Sequence, residues 1–222
     1  ISLPYGIKIV NEQNFDTMKN PILVENTSYT FSDYFRLTAP LKEILNYFGY
    51  RLQRRSYDLP HGQAVTDSAT LLKNRWQETL PYIELANEMA RREFLIAPVL
   101  MEVIRYTQAE MSVEYPLNVT DQLKGTLDYY LTATHQCLVI EAKNGDLEKG
   151  FTQLAVELVA IDQWLENPTS CLYGAVSMGN VWQFGKLDRP TKLVTQDLNL
   201  FRVPADVEEL LRILIGILTL TV

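Results

Sequence analysis

GTLDYYLTATHQCLVIEAK, residues 125–143, is the stretch from which the architecture follows. Residues 126–132 mix β-branched and aromatic side chains around one carboxylate, Asp128. Residues 137–140 form an unbroken apolar run that ends abruptly in Glu141-Ala142-Lys143. The polar residues 133–136 between them can turn the chain, so two strands joined by a short turn are expected. Side chains two apart on a strand share a face, which sends Glu141 and Lys143 the same way and Ala142 into the opposite layer. Ionisable groups at the ends of neighbouring strands need a chemical reason, because unpaired charge beside a core is expensive.

After Lys143, Asn144-Gly145-Asp146 is a turn signal. Residues 147–166 then carry the clearest helical period in the chain, with Leu154, Leu158, Ile161 and Leu165 on one stripe and Asn167-Pro168 as the stop. Gln153 and Glu157, four apart, share a face of that helix. Residues 171–177 read as a strand, Gly179-Asn180 as a turn and 181–186 as the partner strand, with 193–201 as a further edge strand. Residues 206–220 follow Pro204 as an amphipathic-to-apolar helix in which Gly216 is a weak point. Upstream, 111–119 alternates as a strand with Val113, Tyr115 and Leu117 on one face. Pro98 opens a helix over 99–106. Residues 68–94 read as mainly helical, with Pro81 at a helix start and Tyr82, Leu85, Ala86 and Met89 as its buried stripe.

Residues 1–60 are expected to form an N-terminal extension packed on a main domain over 61–222. Within the extension, 22–24 is a candidate strand. Ser32 or Asp33 can cap a helix whose apolar positions are Leu37, Leu41, Ile44, Leu45 and Phe48, with Gly49 as its stop. Residues 50–57 form a short basic strand ending in the turn Asp58-Leu59-Pro60-His61-Gly62. The order helix, strand, strand, strand, helix, strand, strand describes an α/β (mixed α+β) protein, a central mixed sheet flanked by helices. The helix between 143 and 171 is then the crossover linking two parallel strands.

With 222 residues, 47% apolar and 21% charged, the chain can form one large globular domain or a domain with an extension. Cys137 and Cys171 lie in apolar strand-like runs and read as buried thiols, which fits a reducing compartment. The two histidines, His61 and His135, are too few for a His-rich zinc cluster and read as turn residues. The most apolar run, 210–222, is interrupted by Arg212 and falls short of the roughly 20 residues a bilayer needs. No signal-peptide pattern opens the sequence, so the expected location is cytoplasmic, with no membrane partner. A net charge of −7 and a pI of about 4.9 argue against broad affinity for nucleic acid, yet a local basic patch can coexist with an acidic body. Arg51, Arg54, Arg55, Arg91 and Arg92 are candidate phosphate contacts, and solvated faces account for them equally well. Trp164 and Trp182 read as core or sheet-face aromatics.

Asp128 and Glu141, from adjacent strands, can converge on a hard cation such as Mg²⁺ or Mn²⁺, with the Ala142 carbonyl as a further oxygen ligand. Lys143 would then orient or help deprotonate an attacking water, or stabilise charge on a phosphate in flight. In-line displacement at phosphorus needs charge neutralisation and a placed nucleophile, so a phosphodiester suits this set better than a peptide.

The constellation resembles the PD-(D/E)xK, or restriction-endonuclease-like, nuclease superfamily. Asp128 precedes Glu141-Ala142-Lys143, Gly125 stands three residues before the aspartate, and Leu127 stands where the superfamily often has proline. Gln153 and Glu157 match the QxxxE helix that follows the lysine in family members. Glu102 stands where the family carries an acidic residue on the helix before the first core strand, with Glu93 as the rival. The resemblance covers about residues 99–176 and implies an αβββαβ core and a Mg²⁺-dependent endonuclease with DNA as substrate. It further implies that Asp128 and Glu141 bind the metal, Lys143 assists the attacking water and Gln153 orders water or substrate. Homodimers are common in the superfamily; the 210–222 helix is a candidate interface, a core helix being the other reading. Against these stand plainer assignments: a strand-end ion pair for Glu141 and Lys143, and a solvated helix face for Gln153 and Glu157. At the level of function the alternatives are a non-catalytic nucleic-acid-binding or protein-interaction module, and an accessory subunit whose protein partner supplies the DNA affinity.

Overall fold

In a computed structural model, which describes residues 22–24, 27–133, 136–143, 145–166 and 169–220, the 125–143 hairpin lies inside an eight-stranded sheet. In chain order the elements are α1 (Phe31–Arg36), α2 (Leu41–Tyr47), β1 (Arg51–Arg54), α3 (Thr66–Thr79), α4 (Glu88–Arg91), α5 (Ala97–Thr107), β2 (Glu110–Thr120), β3 (Leu123–Thr132), β4 (Cys137–Ala142), α6 (Leu147–Trp164), β5 (Cys171–Ser177), β6 (Val181–Asp188), β7 (Leu193–Gln196), β8 (Phe201–Arg202) and α7 (Val207–Thr219). The strands lie in the order β1-β7-β6-β5-β4-β3-β2, and β8 pairs with the start of β6. β4 and β5 run parallel, as the α6 crossover requires, and so do β1 and β7; the remaining pairs are antiparallel. This is a mixed α/β fold with helices on both faces of its sheet.

One core joins α1, α2 and α6 to one face of the sheet, and the other joins α3, α5 and α7 to the opposite face. β4 is therefore buried along its whole length, which is why its sequence is an apolar run without alternation. α6 is buried along most of its length and not on a single stripe, because α1 and α2 close over the side that the sheet leaves open. Trp182 is fully buried, and Trp164 is 41% exposed beside Tyr115. Cys137 and Cys171 are free thiols, buried and half-buried. Among the described residues no helix is long and apolar enough to cross a membrane.

Several expectations are corrected. Residues 22–24 form a bend instead of a strand. The single helix expected around 37–48 is two, because Pro40 offers no N–H to continue a helix and instead caps α2. At α1, Thr30 holds the cap position and Asp33 Oδ2 accepts its backbone N–H at 2.8 Å. The buried stripe over 82–89 does not form. Between α3 and α4 the chain makes a 3-10 turn at Leu80–Tyr82, and Tyr82 and Met89 are 89% and 64% exposed. The 193–201 edge strand is two short strands, and β7 is interior because β1 pairs with it from Arg51↔Leu193 to Arg54↔Gln196. Gly216 is a close-packing position, where a Cβ would sit 2.5 Å from the Pro60 carbonyl oxygen. The apolar residues of α7, Leu210, Leu211 and Leu214 among them, are spent in this chain's own core. His135, Asn144, Asn167 and Pro168 lie outside the described residues.

Candidate functional site

Register brings the carboxylates together. Between β2 and β3, Val113 faces Tyr129 and Tyr115 faces Leu127, so Glu114 stands opposite Asp128. Between β3 and β4 the last pair is Tyr129 with Ile140, and one further step sets Asp128 opposite Glu141. Glu114, Asp128 and Glu141 thus form one row across three strands. The ladder opens at this row: the Ala142 N–H donates to Asp128 Oδ2 at 2.8 Å instead of to a strand carbonyl. Glu114 has φ +54°, a left-handed backbone that costs a non-glycine residue on the order of 1–3 kcal/mol.

Glu141 is fully buried. Its Oε1 accepts the Gln153 side-chain amide at 2.7 Å and is ion-paired with Lys143 Nζ. The same Gln153 amide donates to Glu157 Oε1 at 2.9 Å. Glu141 Oε2 and Glu157 Oε2 are buried with no hydrogen-bond partner among the described residues. Burial pushes the Glu141 carboxyl well above its ordinary range, the Glu157 and Asp128 charges push the same way, and Lys143 opposes them. Burial also raises Glu157 to about 7. Asp128 is raised by burial against the pull of the Ala142 N–H, Lys143 and Arg92. For Lys143, burial works against the charge, yet Glu141, then Asp128 and Glu88, hold its pKa above the usual range.

Local sequence explains the approach of α6. Asp146 caps the helix by accepting the Lys149 N–H at 3.0 Å. Gly150 then leaves room for the strands: a Cβ there would lie 2.7 Å from Val176 Cγ2 and 3.0 Å from Lys143 Cγ.

A second side of the site comes from the helical stretch 88–107, in which α4 and α5 are joined without a break by a π-helical segment, Arg92–Ile96. Such segments are rare and frequently lie at functional sites. Arg92 Nη1 donates to Glu114 Oε1 at 2.6 Å and lies 3.6 Å from Asp128 Oδ1. Its guanidinium sits 5.1 Å over the Tyr129 ring, and Nε reaches the Tyr129 hydroxyl at 3.5 Å. Glu88, one turn before Arg92, belongs to the same electrostatic cluster: burial raises its pKa, and Lys143, Asp128, Arg92 and Glu114 all act on it.

Asp128, Glu141, Lys143 and Gln153 are therefore gathered, and Ala142 contributes its N–H. Glu102 is not among them. It pairs with Arg105 at 2.9 Å, and Arg105 in turn reaches Ser68. Glu93 is exposed. The acidic residue that the helix does bring is Glu88, whose four-residue spacing from Arg92 was the available signal. Of the arginines, Arg92 enters the site, whereas Arg91 is occupied by the Leu85 and Met178 carbonyls at 3.1 and 3.0 Å. Arg51 and Arg54 lie on the far edge strand β1, bonded to the Thr191 carbonyl and to Gln196; Arg55 follows that strand.

Among the described residues no group of three or more His, Cys, Asp and Glu is arranged to hold a metal ion. Two carboxylates are nevertheless what Mg²⁺ takes when water fills its other positions, and the partnerless Glu141 Oε2 beside Asp128 fits that role. An open cavity of about 680 Å³ lies elsewhere, lined by Tyr57, His61, Lys73 and Arg212 with acidic neighbours. Its His61 and Arg212 already lie 2.6 and 3.6 Å from Glu209 carboxylate oxygens, so volume does not mark the chemically unusual place. Compared with known proteins, the chain matches no family model and no curated sequence.

Proposed function

We propose that this protein is a divalent-metal-dependent phosphodiester hydrolase of the restriction-endonuclease-like kind, with DNA as its substrate. The observation that carries the reading is the meeting of Asp128 and Glu141 across β3 and β4, with Lys143 ion-paired to Glu141 and a buried Glu141 oxygen left without a partner. The order α5-β2-β3-β4-α6-β5, with β4 and β5 parallel, also fits the αβββαβ core of such enzymes.

Mg²⁺ or Mn²⁺ held by Asp128 and Glu141 would supply Lewis acidity toward a phosphoryl oxygen and acidify water. The chain's own residues do the positioning. Gln153 fixes the Glu141 carboxylate through its amide, and the Ala142 N–H fixes Asp128. Lys143 stands beside Glu141 to orient the attacking water and to offset charge that builds on the phosphoryl oxygens. Its approach to Phe35, 5.5 Å from the ring centroid, limits its freedom to swing away.

A module that keeps the fold but does not cut is the second reading. On its side stand the net charge of −7 and the cationic neighbours that Glu141 and Asp128 already have in Lys143 and Arg92. Calorimetric titration with Mn²⁺ or Mg²⁺, run beside Asp128→Ala and followed by DNA cleavage assays, separates the two. The hydrolase reading expects saturable binding and cleavage, both lost in the variant. Folded wild-type protein that binds no metal, alone or with a non-cleavable duplex, would leave the binding module.

A further inference from the structure

Three observations meet at Arg92. Its side chain is 11% exposed, yet its charge is shared between a carboxylate oxygen at 2.6 Å and another at 3.6 Å. Its bonds run through Nη1 and Nε, and Nη2 has no hydrogen-bond partner among the described residues. A guanidinium is a planar fork suited to gripping two oxygens of one anion, and here it grips one. The partner is also unusual. Glu114 lies on the edge strand β2, is 54% exposed, and holds the left-handed backbone from which its carboxylate meets Arg92. Strain at an exposed carboxylate, aimed at a nearly enclosed arginine, points to a contact kept for use and not for stability.

We propose that Arg92 is a substrate-binding residue, a clamp for the non-bridging oxygens of the phosphodiester that reaches Asp128 and Glu141, and that Glu114 parks it while the site is empty. The inference rests on the hydrolase reading above. In the parked state Arg92 offsets the charge of Asp128 and Glu114. When a phosphate arrives, the fork exchanges one carboxylate oxygen for two phosphate oxygens, and Glu114, already half in water, is solvated at little cost. Lys143 is not equivalent, since its ammonium is a point charge committed to Glu141. The arrangement selects for a doubly oxygenated anion, because a neutral group cannot draw Arg92 from Glu114.

The test is fluorescence anisotropy of a short labelled DNA duplex, with Ca²⁺ replacing Mg²⁺ to hold off cleavage. Wild type is compared with Arg92→Ala, Arg92→Lys and Glu114→Gln, each checked for a native melting transition. Arg92→Ala should weaken duplex binding by roughly tenfold and reduce the slope of log affinity against log salt by about one. Arg92→Lys should recover only a minor part of that loss. Glu114→Gln, an exposed near-isostere that keeps the fold, should tighten duplex binding severalfold because the competitor for Arg92 is gone. Mn²⁺ binding by calorimetry should persist in all three. Duplex binding unchanged in Arg92→Ala, or weakened in Glu114→Gln, overturns the clamp alone if wild type still binds metal and cuts. Wild type that binds neither metal nor duplex overturns both readings. Should Arg92→Ala not fold, Glu114→Gln decides.

Discussion

Glu157 carries part of the site's pH dependence. It is fully buried, and burial lifts its carboxyl from 4.5 to about 7. Between those values the folded chain keeps a proton that the unfolded chain has released. Stability is therefore fully present below about pH 4.5, falls as pH rises through the window, and is lost once the folded value is passed. Glu141 shifts in the same direction through the same burial. At about 1.4 kcal/mol per unit, Glu157 alone accounts for a loss on the order of 3 kcal/mol. Glu157→Gln keeps an acceptor for the Gln153 amide and removes the ionisation. Urea unfolding in EDTA should show wild type losing stability between about pH 5 and about pH 8, with the variant flatter and the more stable of the two at the higher pH. A variant as steep as wild type would place the titration elsewhere. Asp128, Glu141, Lys143, Gln153 and Glu157 were legible in the sequence because a strand's period of two, a helix's spacing of four and a short turn fix which of them face each other. Glu114 was not legible, and for Glu88 the four-residue spacing from Arg92 was a signal that did not say which way the pair faces. The first depends on the register between β2 and β3, and the direction in which the second faces depends on a π-helical segment; residue spacing encodes neither.

Among the elements, α6 shows packing overruling propensity. On an open helix, replacing glycine by alanine gains up to about 1 kcal/mol. At Gly150 the new methyl would lie 2.7 Å from Val176 and 3.0 Å from Lys143, and such overpacking costs about 1–3 kcal/mol. Gly150→Ala should thus be destabilising by about 1–2 kcal/mol in denaturant unfolding. Because one of the displaced atoms belongs to Lys143, DNA cleavage should fall further than the stability loss accounts for. A more stable variant would mean that β5 yields easily and that α6 is not held tightly against the site. The ends of α6 were readable from the turn signal before it, the Asn167-Pro168 stop after it and an unbroken period between, but its burial on several sides was not, since α1 and α2 come from far away in the chain. The opposite error arose at 82–89, where Leu85 and Met89 have helical spacing but Met89 is exposed. Period alone places residues on a common face; it does not supply a neighbour to cover that face.

For the molecule as a whole, the boundary at residue 60 meets a sheet that crosses it. β1 extends the sheet by pairing along β7, α1 packs on α6, and Phe31, Tyr34, Ile44, Leu45 and Tyr50 are buried in the core that α6 shares. The sequence showed a short basic strand within 50–57, of which Arg51–Arg54 forms, but not where it would dock, because its partner lies more than a hundred residues later. Cutting the chain at 61 would expose the β7 edge and uncover one face of α6. Losing a large buried apolar side chain costs about 1.5–3 kcal/mol, so five of them approach or exceed the 5–15 kcal/mol that holds a typical domain together. The 61–222 fragment should therefore be insoluble, or lack a cooperative thermal transition in circular dichroism, whereas the full chain should show one. A fragment that melts cooperatively would make the first sixty residues an appendage. The site would then have to be assembled without α1, whose Phe35 ring lies 5.5 Å from the Lys143 ammonium. Comparing Mn²⁺ affinity in the two chains tests that last connection, from the N-terminal helices to the charge beside Glu141.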